Sequence, residues 1–184
     1  MYLLVPLLGG AIVHGLCMKH GWFAFLARPI DRGVKLRGEQ LFGHSKTLRG
    51  PILVAAGSAA VFAFQQDVLH HFAPFAQLEL VDYAHLPRAW FAALAGAAAE
   101  LAELPNSFAK RRLNIPPGGT ASGALGALFF VWDQVDLLLG FWLVVGWAVP
   151  VSSVRVATSL VAVGVLHPLV TVAGYFAGMR DSAR

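Results

Sequence analysis

Apolar residues gather in five long stretches, at about 2–18, 51–66, 89–104, 121–149 and 153–179, and most of the charge lies between them. Each stretch is long enough to cross, or nearly cross, a bilayer, for which a helix needs about 20 apolar residues. The pattern predicts an all-α, polytopic membrane helix bundle of about five spans. No repeat or low-complexity linker divides it, so residues 1–184 are expected to form a single domain. The first stretch is short, and the third is rich in Ala and carries Glu100 and Glu103. Met1-Tyr2-Leu3 offers neither a basic n-region nor a small-x-small cleavage site, so the first stretch is expected to remain as a span. The 67–88 segment, with Pro74 and Pro87, reads as an outer loop with a short interfacial helix. His70 and His71 within it would point about 100° apart on a helix, and they read as solvated loop residues rather than a zinc pair.

The charges orient the bundle. Lys19, Arg28, Arg32, Lys35, Arg37, Lys46 and Arg49 lie between the first two stretches, Lys110, Arg111 and Arg112 between the third and fourth, and Arg180 and Arg184 in the tail. Only Arg88 and Arg155 fall on the other side, with Asp67, Glu79 and Asp82. The positive-inside rule then puts the N-terminus outside, the C-terminus inside and both basic loops in the cytoplasm. Five spans satisfy this alternation; four or six do not. Composition agrees: 57% apolar residues, 13% charged and a mean hydropathy of +0.64 are wrong for an ordinary soluble domain. The net charge of +4 is explained by these flanking loops and anionic headgroups, so no nucleic-acid partner is expected. The single cysteine, Cys17, has no disulfide or metal partner and reads as a small membrane-facing residue.

Against that background the acids inside apolar stretches need a reason. Asp133 and Asp136 interrupt Leu128-Phe-Phe-Val131 and Leu137-Leu-Leu139, and each costs about 2.5–3.5 kcal/mol on membrane-insertion scales. At i and i+3 they share one helix face and can hold one divalent cation or bracket two. The bland alternative is an interfacial break between two shorter helices. Glu100, Glu103, Ser107 and Lys110, at spacings of 3, 4 and 3, form a second stripe leading to the cytoplasmic edge. Pro105 is expected to kink that helix. Lys110-Arg111-Arg112 alone is an ordinary basic flank; beside buried acids it can bind a metal–triphosphate complex. Gly43-His-Ser45-Lys46-Thr47 lacks the spacing of a P-loop, so a Walker ATPase is not expected. With Arg49, its hydroxyls and cations can still meet a phosphate at the start of the second span.

Taken in order, Arg28-Pro-Ile-Asp31, Gly33, Phe42-Gly-His-Ser-Lys-Thr47, Arg49-Gly50, Asn106-Ser-Phe-Ala-Lys-Arg-Arg112 and Asp133-Gln-Val-Asp136 resemble the CDP-archaeol synthase family, a short relative of the CDP-diacylglycerol synthases. The resemblance runs from about Leu4 to the last span. It implies a CTP-dependent cytidylyltransferase that converts an archaeal-type ether lipid phosphate, or a phosphatidic-acid-like one, to a CDP-lipid in phospholipid biosynthesis. Pyrophosphate would leave and Mg²⁺ would be required. By position it implies Asp133 and Asp136 as metal ligands with Glu103 as a third acid, and Lys110 as catalytic beside the two aspartates. Asn106, Ser107, Arg111 and Arg112 would contact the nucleotide, and Ser45, Lys46, Thr47 and Arg49 the phosphates. The longer diacylglycerol-type signature has Lys-Asp and a His-Gly-Gly stretch where this chain has Leu113-Asn-Ile-Pro-Pro-Gly-Gly119, which favours the archaeol-type branch. The family reading places the site in a polar cavity open to the cytoplasm, in a cell (inner) membrane, and is compatible with a homo-oligomer.

Rival readings fit less well. A CDP-alcohol phosphatidyltransferase needs an upstream Asp-Gly and more widely spaced acids. A small transporter using intramembrane acids as relays lacks internal symmetry here. A non-catalytic lipid-binding homologue leaves both acids and the basic triplet without a purpose.

Overall fold

The computed structural model describes residues 4–68, 71–72 and 88–176. A helix occupies each of the five apolar stretches: α1 Val5–Lys19, α2 Arg49–Asp67, α3 Arg88–Leu101, α5 Gly123–Val145 and α6 Ser153–Phe176, with the amphipathic α4 Glu103–Arg112 continuing α3. Pro6 sits in the first turn of α1, where its missing N–H has no helical partner to lose, and Lys19 closes the last turn against the negative end of the helix dipole. Helices α3 and α4 part at Ala102, three residues before Pro105, as the ring's missing hydrogen bond requires. By length and composition α5 is able to cross a membrane; Val5–Lys19 and Ser153–Leu166 are apolar but shorter. The segment carrying Pro74, Pro87 and His70, and the tail with Arg180 and Arg184, lie outside the described residues.

The helices pack in the order α1, α2, α3, α5, α6, with α4 against α5. What brings them close is a run of small residues rather than interlocked large ones. A Cβ on Gly57 would lie 2.8 Å from the Cα of Gly10, and one on Gly96 would lie 2.6 Å from Ser58 Oγ. Ala92, Ala95 and Ala99 are buried along the same helix. The Ala-rich third stretch is thus the middle of the bundle, where lipid gives no hydrophobic drive and close backbone approach supplies the packing. Between α5 and α6, Trp142 Nε1 donates to Ser159 Oγ at 2.9 Å.

Polarity is inverted relative to a water-soluble domain. Leu143 is 70% exposed and Val161 68%, whereas Ser58, Gln65, Asn106, Arg111 and Asp136 are buried. Such a surface is suited to lipid, and the chain is a membrane protein. Trp22, Phe23 and Phe25 are exposed just past α1, an aromatic cluster of the kind that sits at headgroup level. Cys17, expected to face lipid, is instead buried. It stands seven residues from Gly10, on the face of α1 that meets α2.

The loop between α1 and α2 is folded, and it adds to the mostly helical chain a small antiparallel hairpin, β1 Lys35–Leu36 and β2 Glu39–Gln40. Arg37 and Gly38 both take positive φ (54° and 88°), which makes the two-residue turn a type I′. The ends of the loop pair as well: Ile30 N–H donates to Lys46 O at 2.9 Å and Leu48 N–H to Arg28 O at 3.0 Å. Buried Asp31 accepts from Gly33 N–H at 2.9 Å through one oxygen and from Phe42 N–H at 3.0 Å through the other. Those bonds consume its carboxylate in holding the loop's shape.

Two outcomes follow from this packing. Gly10→Leu would place a side chain 2.5 Å from Val54 O, a backbone atom that cannot step aside. Overpacking of that kind costs about 1–3 kcal/mol, so thermal unfolding in detergent should shift to lower temperature; unchanged stability would mean that α1 and α2 are farther apart. Asp31→Ala should raise amide exchange at Gly33 and Phe42 by about tenfold or more, since each loses its acceptor, with no change in α5. Hydrogen exchange with mass spectrometry across residues 28–48 checks it, and unaltered protection there would contradict the bonding described.

Candidate active site

Three elements converge at one end of the bundle: the loop before α2, the amphipathic α4 and the middle of α5. On α5, Asp133 and Asp136 share a face; Asp136 is 2% exposed, and Asp133 is half-buried. On α4, Glu103, Asn106 and Lys110 recur at spacings of 3 and 4 and so share a face too. The two faces meet. Asn106 Nδ2 donates to Asp133 Oδ1 at 2.6 Å and to Asp136 Oδ2 at 2.7 Å, and Lys110 Nζ reaches Asp133 Oδ1 at 2.5 Å. Lys110 also stands 5.3 Å above the ring of buried Phe129. Asp136 Oδ1 takes the N–H of Leu137 at 2.7 Å, so both oxygens of that deep carboxylate accept hydrogen bonds.

The first basic loop is tied to the same helix. Lys46 forms an ion pair with Glu103 across 57 residues of sequence. Burial works against the Lys46 charge, but Glu103, helped by Glu100 and Asp136, outweighs it and holds the ammonium above its ordinary pKa. A Cβ on Gly43 would stand 3.0 Å from Pro117 and 3.5 Å from the Arg111 side chain, so loop and helix are packed against each other. Arg111 is buried, and its Nε and Nη1 have no hydrogen-bond partner. A buried guanidinium in that condition is a ready receptor for an anion. Arg49 opens α2 with Nε similarly buried and unpartnered.

Other residues of interest are placed differently. Arg112 turns away from the acids: its Nη1 donates to Leu36 O, its Nη2 to Gln40 O at 2.8 Å, and its guanidinium lies 5.2 Å from the Phe108 ring. It clamps the hairpin to α4. Ser45 is exposed, Ser107 is half-buried, and Thr47 is held in a bridge with Pro29. Of the acids expected to bind metal, Asp133 and Asp136 are joined through Asn106, while Glu103 is engaged with Lys46. Among the described residues no three of His, Cys, Asp or Glu are grouped to hold a metal. Sequence reasoning read the α4 stripe through Ser107, whereas Asn106 is the residue that meets both aspartates. Its signal was present, in the spacing of 3 from Glu103 and 4 to Lys110. Glu100 lies one turn deeper, with Oε2 2.6 Å from where a Cβ of Gly50 would stand.

The arrangement alternates fixed cations and carboxylates across a small volume between two helices and a loop. Such an alternation is suited to bringing anions together.

No curated protein matches the chain. A solved intramembrane enzyme for archaeal membrane lipids biosynthesis superposes with a TM-score of 0.61, over 92% of this chain and 90% of that one at 24% sequence identity, which establishes a common fold. Residues 10–183 match the family described as CarS-like: CDP-archaeol synthase. The match covers nearly the whole length, including every element of the site, and the chain therefore belongs to the CDP-archaeol synthase family and is an enzyme, a nucleotidyltransferase.

Proposed function

We infer that this protein transfers CMP from CTP to a membrane lipid phosphate, of archaeal ether type or like phosphatidic acid, forming a CDP-lipid and pyrophosphate. The observation that carries the reading is the chain of contacts Lys110–Asp133–Asn106–Asp136, which fixes two carboxylates and a cation on the faces where α4 meets α5, with the unpartnered donors of Arg111 on the same α4. The lipid phosphate oxygen, already ionised, attacks the α-phosphorus of CTP. A new P–O bond forms, the bond to the β-phosphate oxygen breaks, and pyrophosphate leaves with the electron pair. No general base is required.

The difficulty is charge, because two anions must meet. Arg111 and Arg49, with buried N–H groups unpartnered, would bind phosphate oxygens, and Lys46 would leave Glu103 in part to do the same. Lys110 would orient Asp133 and offset charge on the transferring phosphoryl group. Ser45, Thr47 and Ser107, next in sequence to Lys46 and Asn106, would add hydroxyl donors. Asp133 and Asp136 are hard oxygen donors on one helix face, which fits Mg²⁺. The bound ion would neutralise the triphosphate and stabilise the leaving pyrophosphate. Glu103 is close enough to interact with Asp136 and would shape the field at that ion.

A single domain with five membrane crossings, N-terminus outside and C-terminus inside, accommodates this chemistry. Helices fill all five apolar stretches, and Lys and Arg favour the side of the two basic loops. CTP then enters from the cytoplasm, while the lipid slides in laterally with its chains still in the inner membrane.

Detergent-purified protein supplied with CTP, Mg²⁺ and a panel of lipid phosphates should release pyrophosphate and CDP-lipid in equal amounts. Asp133→Asn or Asp136→Asn should cut the rate by about 10²-fold or more, the scale of losing one preorganised charge at a reacting centre. No product with any lipid, together with no CTP binding, would sink the reading.

A further inference from the structure

Asn106 is 3% exposed, and its carboxamide is used on one side only. The NH₂ group is spent on the two aspartates, at 2.6 and 2.7 Å, while Oδ1 is buried with no hydrogen-bond partner. Leaving a buried acceptor unused is costly, and native proteins rarely do so without a functional reason. The geometry of the NH₂ is equally telling. Sitting between two carboxylates and donating to an oxygen of each, it occupies the position that a small cation would take.

Two carboxylates supply only part of the shell of a hard divalent ion, and the rest is open to waters, substrate phosphates or a further protein oxygen. Among the described residues no third His, Cys, Asp or Glu is grouped with them, and Glu103 is paired with Lys46. Asn106, already in contact with both carboxylates, carries such an oxygen. A half-turn about its Cβ–Cγ bond exchanges N and O with almost no change of shape.

We propose that Asn106 is a switching ligand for the divalent cation: its NH₂ cross-links Asp133 and Asp136 when no cation is bound, and its Oδ1 becomes the third protein oxygen when one is. The turn removes a donor that the cation repels and brings Oδ1 to the carboxylates' side, with the NH₂ taking the place that Oδ1 leaves. The inference rests on the assignment of Asp133 and Asp136 as metal ligands.

The test uses Mn²⁺ as the probe, with binding to the detergent-purified full chain followed by electron paramagnetic resonance. The wild type should bind, and Asn106→Leu, which keeps the size but has no oxygen, should bind at least tenfold more weakly. A purely structural cross-link predicts the reverse order: without a donor to displace, the leucine variant would bind as well as the wild type or better. That outcome overturns the switch and leaves the metal assignment standing. A wild type that binds no Mn²⁺ overturns both. Should Asn106→Leu not fold, the unmodified chain labelled with ¹³C-asparagine answers the same question, since Asn106 and exposed Asn114 are its two asparagines. A close electron–nuclear coupling from bound Mn²⁺ to a side-chain carbonyl carbon, kept in Asn114→Gln, is expected; its absence overturns the switch.

Discussion

Everything at this site depends on keeping two carboxylates three residues apart on a helix whose other faces are made for lipid. Helix α5 exposes Leu139 and Leu143 on its outside and buries Asp136 on its inside. An acid at that depth is tolerated only where a neighbour supplies donors, because neither lipid nor bulk water solvates it. Helix α4 is that neighbour, and its polar face of Glu103, Asn106 and Lys110 faces α5. The short amphipathic helix ahead of Pro116 and Pro117 is therefore as necessary to the site as the acids are.

Bringing α4 and α5 within hydrogen-bonding reach of each other requires the helix before α4 to lie close to α5. Gly140 does this on one side, since a Cβ there would run into Ala98. Ala92, Ala95 and Ala99 give α3 a slim, buried stem, and the break at Ala102 then lets α4 depart at its own angle. Small residues in the membrane core and donors at its edge are thus two parts of one device. The first sets the helix spacing; the second uses it.

Much of this was legible in the sequence, for physical reasons that can be named. The apolar stretches mark helices because a bilayer leaves no other way to satisfy backbone groups. Asp133 and Asp136 stand out because charge in such a stretch is expensive. What could not be read were contacts that depend on two distant segments meeting. Arg112 looked like Lys110, but two further residues of rotation turn it to the β1–β2 hairpin instead of the acids. Glu103 stood out as a third acid beside the aspartates, but its ion pair with Lys46, 57 positions away, has no sequence signal. The hairpin was missed because two-residue strands have no period to detect, and Arg37-Gly38 is a weak turn signal beside Asn-Gly or Asp-Gly. Cys17 was misplaced because a helix with little amphipathic contrast does not announce its inner face.

The Lys46–Glu103 pair has a further consequence for how the basic loops behave. Lys46 belongs to a loop whose shape is set by Asp31, by the bridge at Thr47 and by the clamp from Arg112. Through Glu103 that loop is joined to α4, and through Asn106 and Lys110 α4 is joined to α5. An anion arriving at Arg111 meets cations that already have fixed positions, so little reorganisation is needed when charge builds up there. Such an ion pair is also self-limiting. On the function proposed above, a phosphate that drew Lys46 away would leave Glu103 unpaired near Asp136 and add to the attraction for a divalent cation, so that one lysine would couple anion and cation binding.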